Sequence, residues 1–233
     1  MDNSIENENE EEINKKKAFR KEFFGHISIS AFLFIICIWD RIVNIPRFPK
    51  NFLFLTQIDL YINMIYYSLC IYYNIVSKKG AKGKYQLLFN FNFCVSFVVF
   101  IMYWSMFILD RETLYKKDTK LMVPTSLNMS LHGGVFIANL FEQFYFNKRN
   151  NPSYVKMWFY LAFTICYIGI LYLAKMLFDI RVYPFIYGSL FKFIFICLSA
   201  FAVCLVGHCI YNFMTRESAP KSKEKNFQQF ELN

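Results

Sequence analysis

The chain has 233 residues and a formal net charge of +9 at pH 7, and 56% of its residues are hydrophobic. A soluble domain is roughly 45 to 50% apolar, so this composition is unusually apolar. The apolar residues gather in blocks of about 20, the length of a helix that crosses a bilayer at ~1.5 Å per residue. These blocks exclude a soluble nucleic-acid-binding protein, because the basic residues lie between them, where they anchor helix ends at lipid headgroups.

Six such blocks predict an all-α fold, an integral membrane bundle of six transmembrane helices. The tails at 1–22 and 215–233 are polar and charged, and they carry too little apolar surface to fold alone. We therefore expect one transmembrane domain, 23–214, between two disordered tails. In chain order, the predicted spans are 23–39, 52–76, 87–109, 124–146, 157–178 and 190–214.

The positive charges predict the orientation of the bundle. An even number of crossings places both termini on the same side of the membrane. That side carries 16 Lys and Arg residues in its tails and loops, against 8 on the opposite side. The positive-inside rule then predicts that both termini, and therefore both tails, are cytoplasmic.

Familiar signatures of metal and soluble-enzyme chemistry do not occur in the sequence. It contains no G-x-S-x-G elbow and no HExxH helix motif. The seven cysteines lie inside the apolar blocks without CxxC or Cys/His ligand spacing, so we interpret them as small hydrophobic residues. We therefore predict neither a metal site nor a cofactor.

Polar side chains inside the second and fourth spans are the informative residues. Such groups are costly in lipid, so they normally face the bundle interior and mark either a function or a polar clasp between helices. Each set shares a face of its helix by the spacing of three, four or seven residues. The second span carries Thr56, Asp59 and Asn63, and the fourth carries Asn128, His132, Asn139 and Glu142.

The predicted topology makes these two spans parallel, since both run inward from the non-cytoplasmic side. Thr56 and His132 then lie within ~12 Å of the same end of the bundle at ~1.5 Å per residue. Asp59 and Asn63 fall in the same layer. If the two helices are neighbours, a hydroxyl, an imidazole, a carboxylate and amides converge in the outer half of the bilayer.

Three motifs connect the chain with a known family. They are FLTQIDL at 54–60, PTSLNMSLH at 124–132 with Glu142 ten residues further on, and VYPF at 182–185. In this order and spacing they resemble the androgen-induced membrane protein family, also called the FAR-17a family, from the first span through the sixth. Members of that family are described as multi-pass hydrolases that cleave fatty acid esters of hydroxy fatty acids with a threonine and a histidine.

The resemblance implies a catalytic pair, with Thr56 as nucleophile and His132 as general base. A threonine hydroxyl is protonated at neutral pH, so it attacks an ester only when a base removes its proton. The hydrocarbon layer penalises the imidazolium form, which favours the neutral ring that can accept this proton. The chain departs from the pattern expected of animal members at two places, Met129-Ser130 for His-Gly and Gly133-Gly134 for a pair of threonines.

Each of the other polar residues has two possible roles. Asp59 could orient the imidazole or clasp another helix, and Glu142 lies deeper, where a structural or supporting role is expected. Asn63 and Asn128 could stabilise an oxyanion, or they could form hydrogen bonds between helices. Tyr183 and Pro184 lie in a loop on the same side as the candidate pair, where they could form a lid.

The resulting expectation is a hydrolase in the endoplasmic reticulum or the plasma membrane that acts on a lipid ester. An ester dissolved in lipid could enter such a site sideways, between helices. The alternative is a non-catalytic lipid-binding, carrier or regulatory membrane protein that uses the same polar pocket for recognition. Substitution of Thr56 separates the two, because only the hydrolase loses turnover.

Overall fold

The computed structural model describes residues 2–44, 50–77, 85–109, 124–146, 155–183 and 190–217. Within these ranges the regular structure is entirely helical. A short 3-10 helix, Lys50–Leu53, leads into the second of six helices, and the fourth helix has three consecutive segments. The helices are α1 (Asp2–Asn44), α2 (Leu55–Ser77), α3 (Gln86–Leu109), α4 (Thr125–Met129, Ser130–Gly134 and Val135–Tyr145), α5 (Val155–Phe178) and α6 (Leu190–Glu217).

Four stretches of the described chain are long and apolar enough to cross a membrane: Glu12–Asn44, Gln86–Leu109, Trp158–Phe178 and Ile194–Thr215. They make this a helical membrane protein. The other two helices coincide with predicted spans but differ in character. A row of polar side chains interrupts the apolar surface of α2, and a change of hydrogen-bonding pattern divides α4. Six crossings, and the side on which the termini lie, remain predictions.

The N-terminal segment differs from its prediction. Residues 2–22 were expected to be disordered, but α1 runs without a break from Asp2 to Asn44. Two physical reasons favour the longer helix. Glu and Lys are good helix formers, and Glu12 and Lys16 form an ion pair of 2.7 Å one turn apart. The segment also extends a helix that already exists, so it avoids the unfavourable nucleation step. Beyond residue 217 the predicted C-terminal tail lies outside the described residues.

The centre of the bundle is α3, which packs against α2, α4 and α6, while α1 packs against α2. Every residue from 89 to 96 is buried, because neighbouring helices cover α3 on all sides in this part. In contrast, α5 contacts chiefly α6 and leaves large apolar side chains exposed along its length. In a membrane those side chains face lipid, which covers them without any protein partner.

Two buried groups of polar side chains join the helices. The central polar cluster consists of Asp59, Asn63, Ser96 and Asn139. In it, the Ser96 hydroxyl donates to Asp59 Oδ1 over 2.6 Å, while Asn139 Nδ2 donates to Ser96 Oγ over 2.9 Å. Asn63 Nδ2 also donates to Asp59 Oδ1 over 2.9 Å. This cluster connects α2, α3 and α4 directly below the level of Thr56.

The inner polar cluster consists of His26, Tyr66, Asn74 and Glu142. His26 Nε2 lies 3.1 to 3.2 Å from the Glu142 carboxylate oxygens, and the Tyr66 hydroxyl donates to Glu142 Oε1 over 3.0 Å. Asn74 Nδ2 is 3.2 Å from His26 Nδ1. These contacts connect α1, α2 and α4 at the end of the bundle opposite to Thr56.

Candidate active site

The structure brings together Thr56 and His132, the two residues of the predicted catalytic pair. Thr56 is the second residue of α2, and His132 lies in the middle segment of α4. The Thr56 Oγ1 and His132 Nε2 atoms are 3.2 Å apart, although the residues are 76 positions apart in sequence. The second and fourth helices are therefore neighbours, which is the condition under which their polar side chains can converge.

A local change in α4 surrounds His132. Ser130–Gly134 forms a π-helical segment, in which hydrogen bonds span five residues instead of four. One extra residue per turn rotates the following side chains relative to a regular α-helix. Such segments occur often at functional sites. No pattern in the sequence indicated this change.

The main chain of α4 sets the tautomer of the imidazole. His132 Nδ1 lies 2.9 Å from the carbonyl oxygen of Asn128. A carbonyl oxygen can only accept, so Nδ1 carries the hydrogen in this contact. In a neutral ring, Nε2 then has a free lone pair directed at the Thr56 hydroxyl, which donates to it. The pair thus has the arrangement of a hydroxyl and a general base.

An aromatic side chain fixes the plane of the imidazole. Tyr103 of α3 stacks on His132 with ring centroids 3.7 Å apart and planes only 16° from parallel. Stacking restricts rotation of the imidazole about its side-chain bonds. Tyr103 could not be singled out from the sequence, because one tyrosine among 16 carries no distinguishing signal.

The start of α2 is held by the segment that was predicted to be a lid. The main-chain N–H of Leu55 donates to the Tyr183 hydroxyl over 3.1 Å, and the Tyr167 hydroxyl donates to the Leu53 carbonyl over 2.9 Å. The first N–H groups of a helix have no partner within it, so Tyr183 satisfies one of them. Tyr183 therefore anchors the turn that carries Thr56. Pro184 lies outside the described residues.

The chain reaches this position through a turn at the end of α5. Asp179 has a φ of 48°, a left-handed conformation that Asp tolerates better than most residues. Its N–H donates to the Lys175 carbonyl over 2.9 Å, which ends the helix. Val182 is then buried, and Tyr183 follows it against α2. This turn brings the third sequence motif to the first.

Asp59 and Asn63 lie one and two turns below Thr56 but belong to the central polar cluster. The ring nitrogens of His132 contact Thr56 Oγ1 and the Asn128 carbonyl, so the carboxylate of Asp59 does not occupy the place of a third triad member. Its described partners are Asn63 and Ser96. Ser96 was missed in the sequence, where its only signal was a small hydroxyl in a strongly apolar span.

Glu142 and Asn128 have contacts of different kinds. Glu142 lies in the inner polar cluster, where its carboxylate contacts His26 and Tyr66. Asn128 contacts the imidazole through its main-chain oxygen rather than through its amide side chain. His208, the remaining histidine, is 3.0 Å from Asn212 Nδ2 on its own helix.

Fold and site together define a class: a helical membrane protein in which a hydroxyl and an oriented imidazole meet between two neighbouring helices. The comparison with known families agrees with this description. A family model described as FAR-17a/AIG1-like protein matches residues 21–216, and the chain belongs to that family. The match runs from within α1 to within α6 and confirms the resemblance to this family. No curated protein and no solved structure matches the chain.

Proposed function

We propose that this protein is an intramembrane hydrolase of lipid esters, with Thr56 as nucleophile and His132 as general base. The observation that carries the proposal is the 3.2 Å contact between Thr56 Oγ1 and His132 Nε2, with Nδ1 engaged by a carbonyl oxygen. Membership of the FAR-17a/AIG1-like family supports fatty acid esters of hydroxy fatty acids as the substrates.

The reaction has two halves. Thr56 Oγ1 attacks the ester carbonyl carbon while its proton passes to His132 Nε2, and a tetrahedral intermediate forms. The intermediate collapses as Nε2–H returns the proton to the leaving alkoxide, which leaves as the hydroxy fatty acid. A water molecule then attacks the acyl–threonine ester while its proton passes to His132, and Nε2–H gives that proton to the Thr56 oxygen as the fatty acid is released. No step needs a metal or a cofactor.

The proposed orientation suits a lipid substrate. With six crossings and both termini in the cytoplasm, the pair lies in the outer half of the bilayer. An ester in that leaflet keeps its acyl chains in hydrocarbon while its carbonyl reaches Thr56. We propose the endoplasmic reticulum or the plasma membrane as the location, since either provides such lipids.

Hydrolysis of a branched fatty acid ester by membranes containing the protein tests this function. At matched expression, Thr56→Ala should reduce turnover to background, because the acyl–threonine cannot form. His132→Ala should reduce kcat about 10²- to 10⁴-fold. Thr56→Ser keeps a hydroxyl and should retain turnover.

Matched controls separate chemistry from folding. Thr164 lies on α5, where its hydroxyl bonds within its own helix, and His208 lies on α6, where it contacts Asn212 and the ring of Tyr160. Thr164→Ala and His208→Gln should therefore hydrolyse the ester at close to the wild-type rate. Turnover that survives both Thr56→Ala and His132→Ala would refute the mechanism. Ester binding without turnover in the wild type would instead favour the non-catalytic lipid-binding alternative.

A further inference from the structure

An ion pair lies in the last turns of α1, at the end of the bundle that carries Thr56. Its members, Asp40 and Arg41, are neighbours in the chain, and Arg41 Nη2 donates to Asp40 Oδ2 over 2.9 Å. The Asp40 side chain is only 1% accessible, and Asn44 Nδ2 donates to its other oxygen over 2.6 Å. Both carboxylate oxygens are therefore engaged inside the protein, so only the arginine of this pair can meet an external ligand.

The Arg41 guanidinium retains accessible donors. A guanidinium has five N–H donors, and both hydrogen bonds of Arg41 to the described residues leave from Nη2, one to Asp40 and one to the side-chain oxygen of Gln57. Nε is buried, whereas Nη1 is not, and 29% of the side-chain surface is accessible. Nη1 thus offers its N–H groups at the surface of the protein.

Two aromatic rings hold the guanidinium in place. Its central carbon lies 4.5 Å from the ring centroid of Phe52 and 5.8 Å from that of Tyr61. Contact with aromatic faces stabilises the cation and leaves the N–H groups in its plane available for hydrogen bonds. Phe52 is itself 40% accessible, so an apolar surface continues outward from the cation. A ligand at Nη1 would therefore meet one positive charge bordered by hydrophobic rings.

Two connections relate this cation to the candidate pair. Gln57, which accepts from Arg41, directly follows Thr56 at the start of α2. Phe52 lies in the short 3-10 helix that leads into α2. Arg41 and Thr56 are therefore at the same end of two helices that pack together, separated by little more than the length of a glutamine side chain. A run of several methylene groups can span that gap.

The position and charge of Arg41 favour an anionic group at the lipid interface. A fatty acid ester of a hydroxy fatty acid carries one ester and one free carboxylate, joined by methylene groups. An ionised carboxylate is costly in hydrocarbon, so it stays at the interface while the acyl chains lie in the bilayer. In the proposed topology, the end of α1 and the start of α2 are at that interface. One molecule can then reach both the guanidinium and the Thr56 hydroxyl.

We propose that Arg41 Nη1 binds the free carboxylate of the substrate and thereby positions the ester at Thr56. The identity of the substrate rests on the proposed function. Arg41 is then a specificity-determining residue, which favours esters with a free carboxylate several carbons away over neutral esters. The phosphate of a lipid headgroup is the other anion that this cation could meet, and the experiment below separates the two.

Binding to a protein that cannot turn over tests this inference independently of hydrolysis. The full-length Thr56→Ala protein in phosphatidylcholine liposomes is compared with the same protein carrying Asp40→Asn and Arg41→Gln, which removes both charges together. The probes are the oleate ester of a hydroxystearic acid and its methyl ester, in which the carboxylate is capped. The double substitution should weaken binding of the free acid about 10- to 30-fold, the lower part of the range for a hydrogen bond to a charged group. Binding of the methyl ester should be unchanged.

Asp40→Asn alone separates recognition from a structural role. It keeps the cation and removes its internal partner, so the affinity for the free acid should equal or exceed that of the Thr56→Ala parent. A purely structural ion pair predicts instead that Asp40→Asn weakens both probes, as the double substitution would.

Arg181→Gln is the matched control for a lost arginine. The Arg181 side chain is 57% accessible, lies 3.5 Å from Asp179 and follows α5 shortly before Tyr183, which contacts the start of α2. In the same background this substitution should leave the affinity for both probes unchanged.

The proposal is overturned if the double substitution leaves the affinity for the free acid unchanged, which would assign Arg41 to the headgroup phosphates of the bilayer. It is also overturned if the free acid and the methyl ester are weakened equally. Thermal unfolding of each variant verifies that it is folded. Failure of the wild type to hydrolyse either ester would refute the proposed function but would not alter this binding comparison.

Discussion

At the scale of single residues, the candidate site is a pair rather than a triad. The place on the imidazole that a carboxylate occupies in a serine protease is taken here by the Asn128 carbonyl oxygen. A carbonyl selects the same tautomer as a carboxylate but carries no net charge. In a low-dielectric environment this avoids the cost of an additional buried anion beside the base. Tyr103, on α3, stacks on the imidazole of His132 and restrains its plane.

Tyr183 gives a prediction at this scale. Tyr183→Phe removes the acceptor for the Leu55 N–H and leaves the first turn of α2 less well held. We expect hydrolysis to fall about 2- to 10-fold, in line with the net ~0.5 to 1.5 kcal/mol of one hydrogen bond. Steady-state rates in detergent or liposomes measure the effect. The control is Tyr72→Phe, at a position of α2 that is 62% exposed, and equal effects of the two substitutions would contradict the anchoring role.

At the scale of elements, α3 organises the site although no motif residue of the family resemblance lies on it. It supplies Tyr103 to the imidazole and Ser96 to the central polar cluster. The two helices that carry the motifs both pack against it. The relative positions of α2 and α4, and hence the 3.2 Å contact between Thr56 and His132, depend on α3. The sequence of α3 has the pattern of an ordinary apolar span.

Substitution of Ser96 should show how much the central polar cluster stabilises the packing of α2, α3 and α4. Ser96→Ala removes one of the two side-chain donors to Asp59 Oδ1 and leaves Asn139 Nδ2 without its acceptor, both buried in the middle of the bundle. The expected loss of unfolding free energy is about 1 to 2 kcal/mol, since buried polar groups would lose their partners. Reversible unfolding in mixed micelles measures it. Ser199→Ala, at an exposed hydroxyl on α6 that bonds its own helix, is the control; no difference between the two would mean that the cluster contributes nothing to stability.

At the scale of the whole molecule, buried polar groups form layers between helices, and many large apolar side chains face outward around a buried apolar core. The Thr56–His132 pair lies near one end, the central polar cluster lies below it, and the inner polar cluster lies near the other end. Lipid offers no hydrogen bonds, so polar side chains gain by finding partners inside the bundle. The large exposed aromatic and aliphatic side chains of α5 and α6 are then the surface that lipid solvates.

Topology is the prediction for the whole molecule. Single cysteines are introduced into a cysteine-free background and labelled with a membrane-impermeant maleimide from either side. Positions within 78–84 and 147–154 should react from the cytoplasmic side, and positions within 110–123 from the opposite side. Labelling of 110–123 from the cytoplasm would contradict the predicted orientation and would place the Thr56–His132 pair in the wrong leaflet for the proposed substrate route.

Hydrophobic patterning determined much of the architecture without any structure. Apolar blocks about 20 residues long are sufficient to locate helices in a membrane protein, because lipid requires every main-chain group to bond within its own segment. The observed α3 and α5 begin within two residues of their predicted starts and end where predicted. Apolar patterning did not predict the helix in the charged N-terminal segment. That part of α1 depends on continuity with the apolar part of the same helix rather than on apolar residues of its own.

The sequence by itself also selected Thr56 and His132 as the candidate pair, because their motifs and their matched depths are local properties of two helices. Only the tertiary structure decided which partners each polar side chain has. Asp59 bonds Ser96 rather than the imidazole, the Asn128 carbonyl orients that ring, and Tyr103 stacks on it. These contacts join residues from different helices or depend on a local π turn, and their geometry depends on how the helices pack, which no single stretch of sequence encodes.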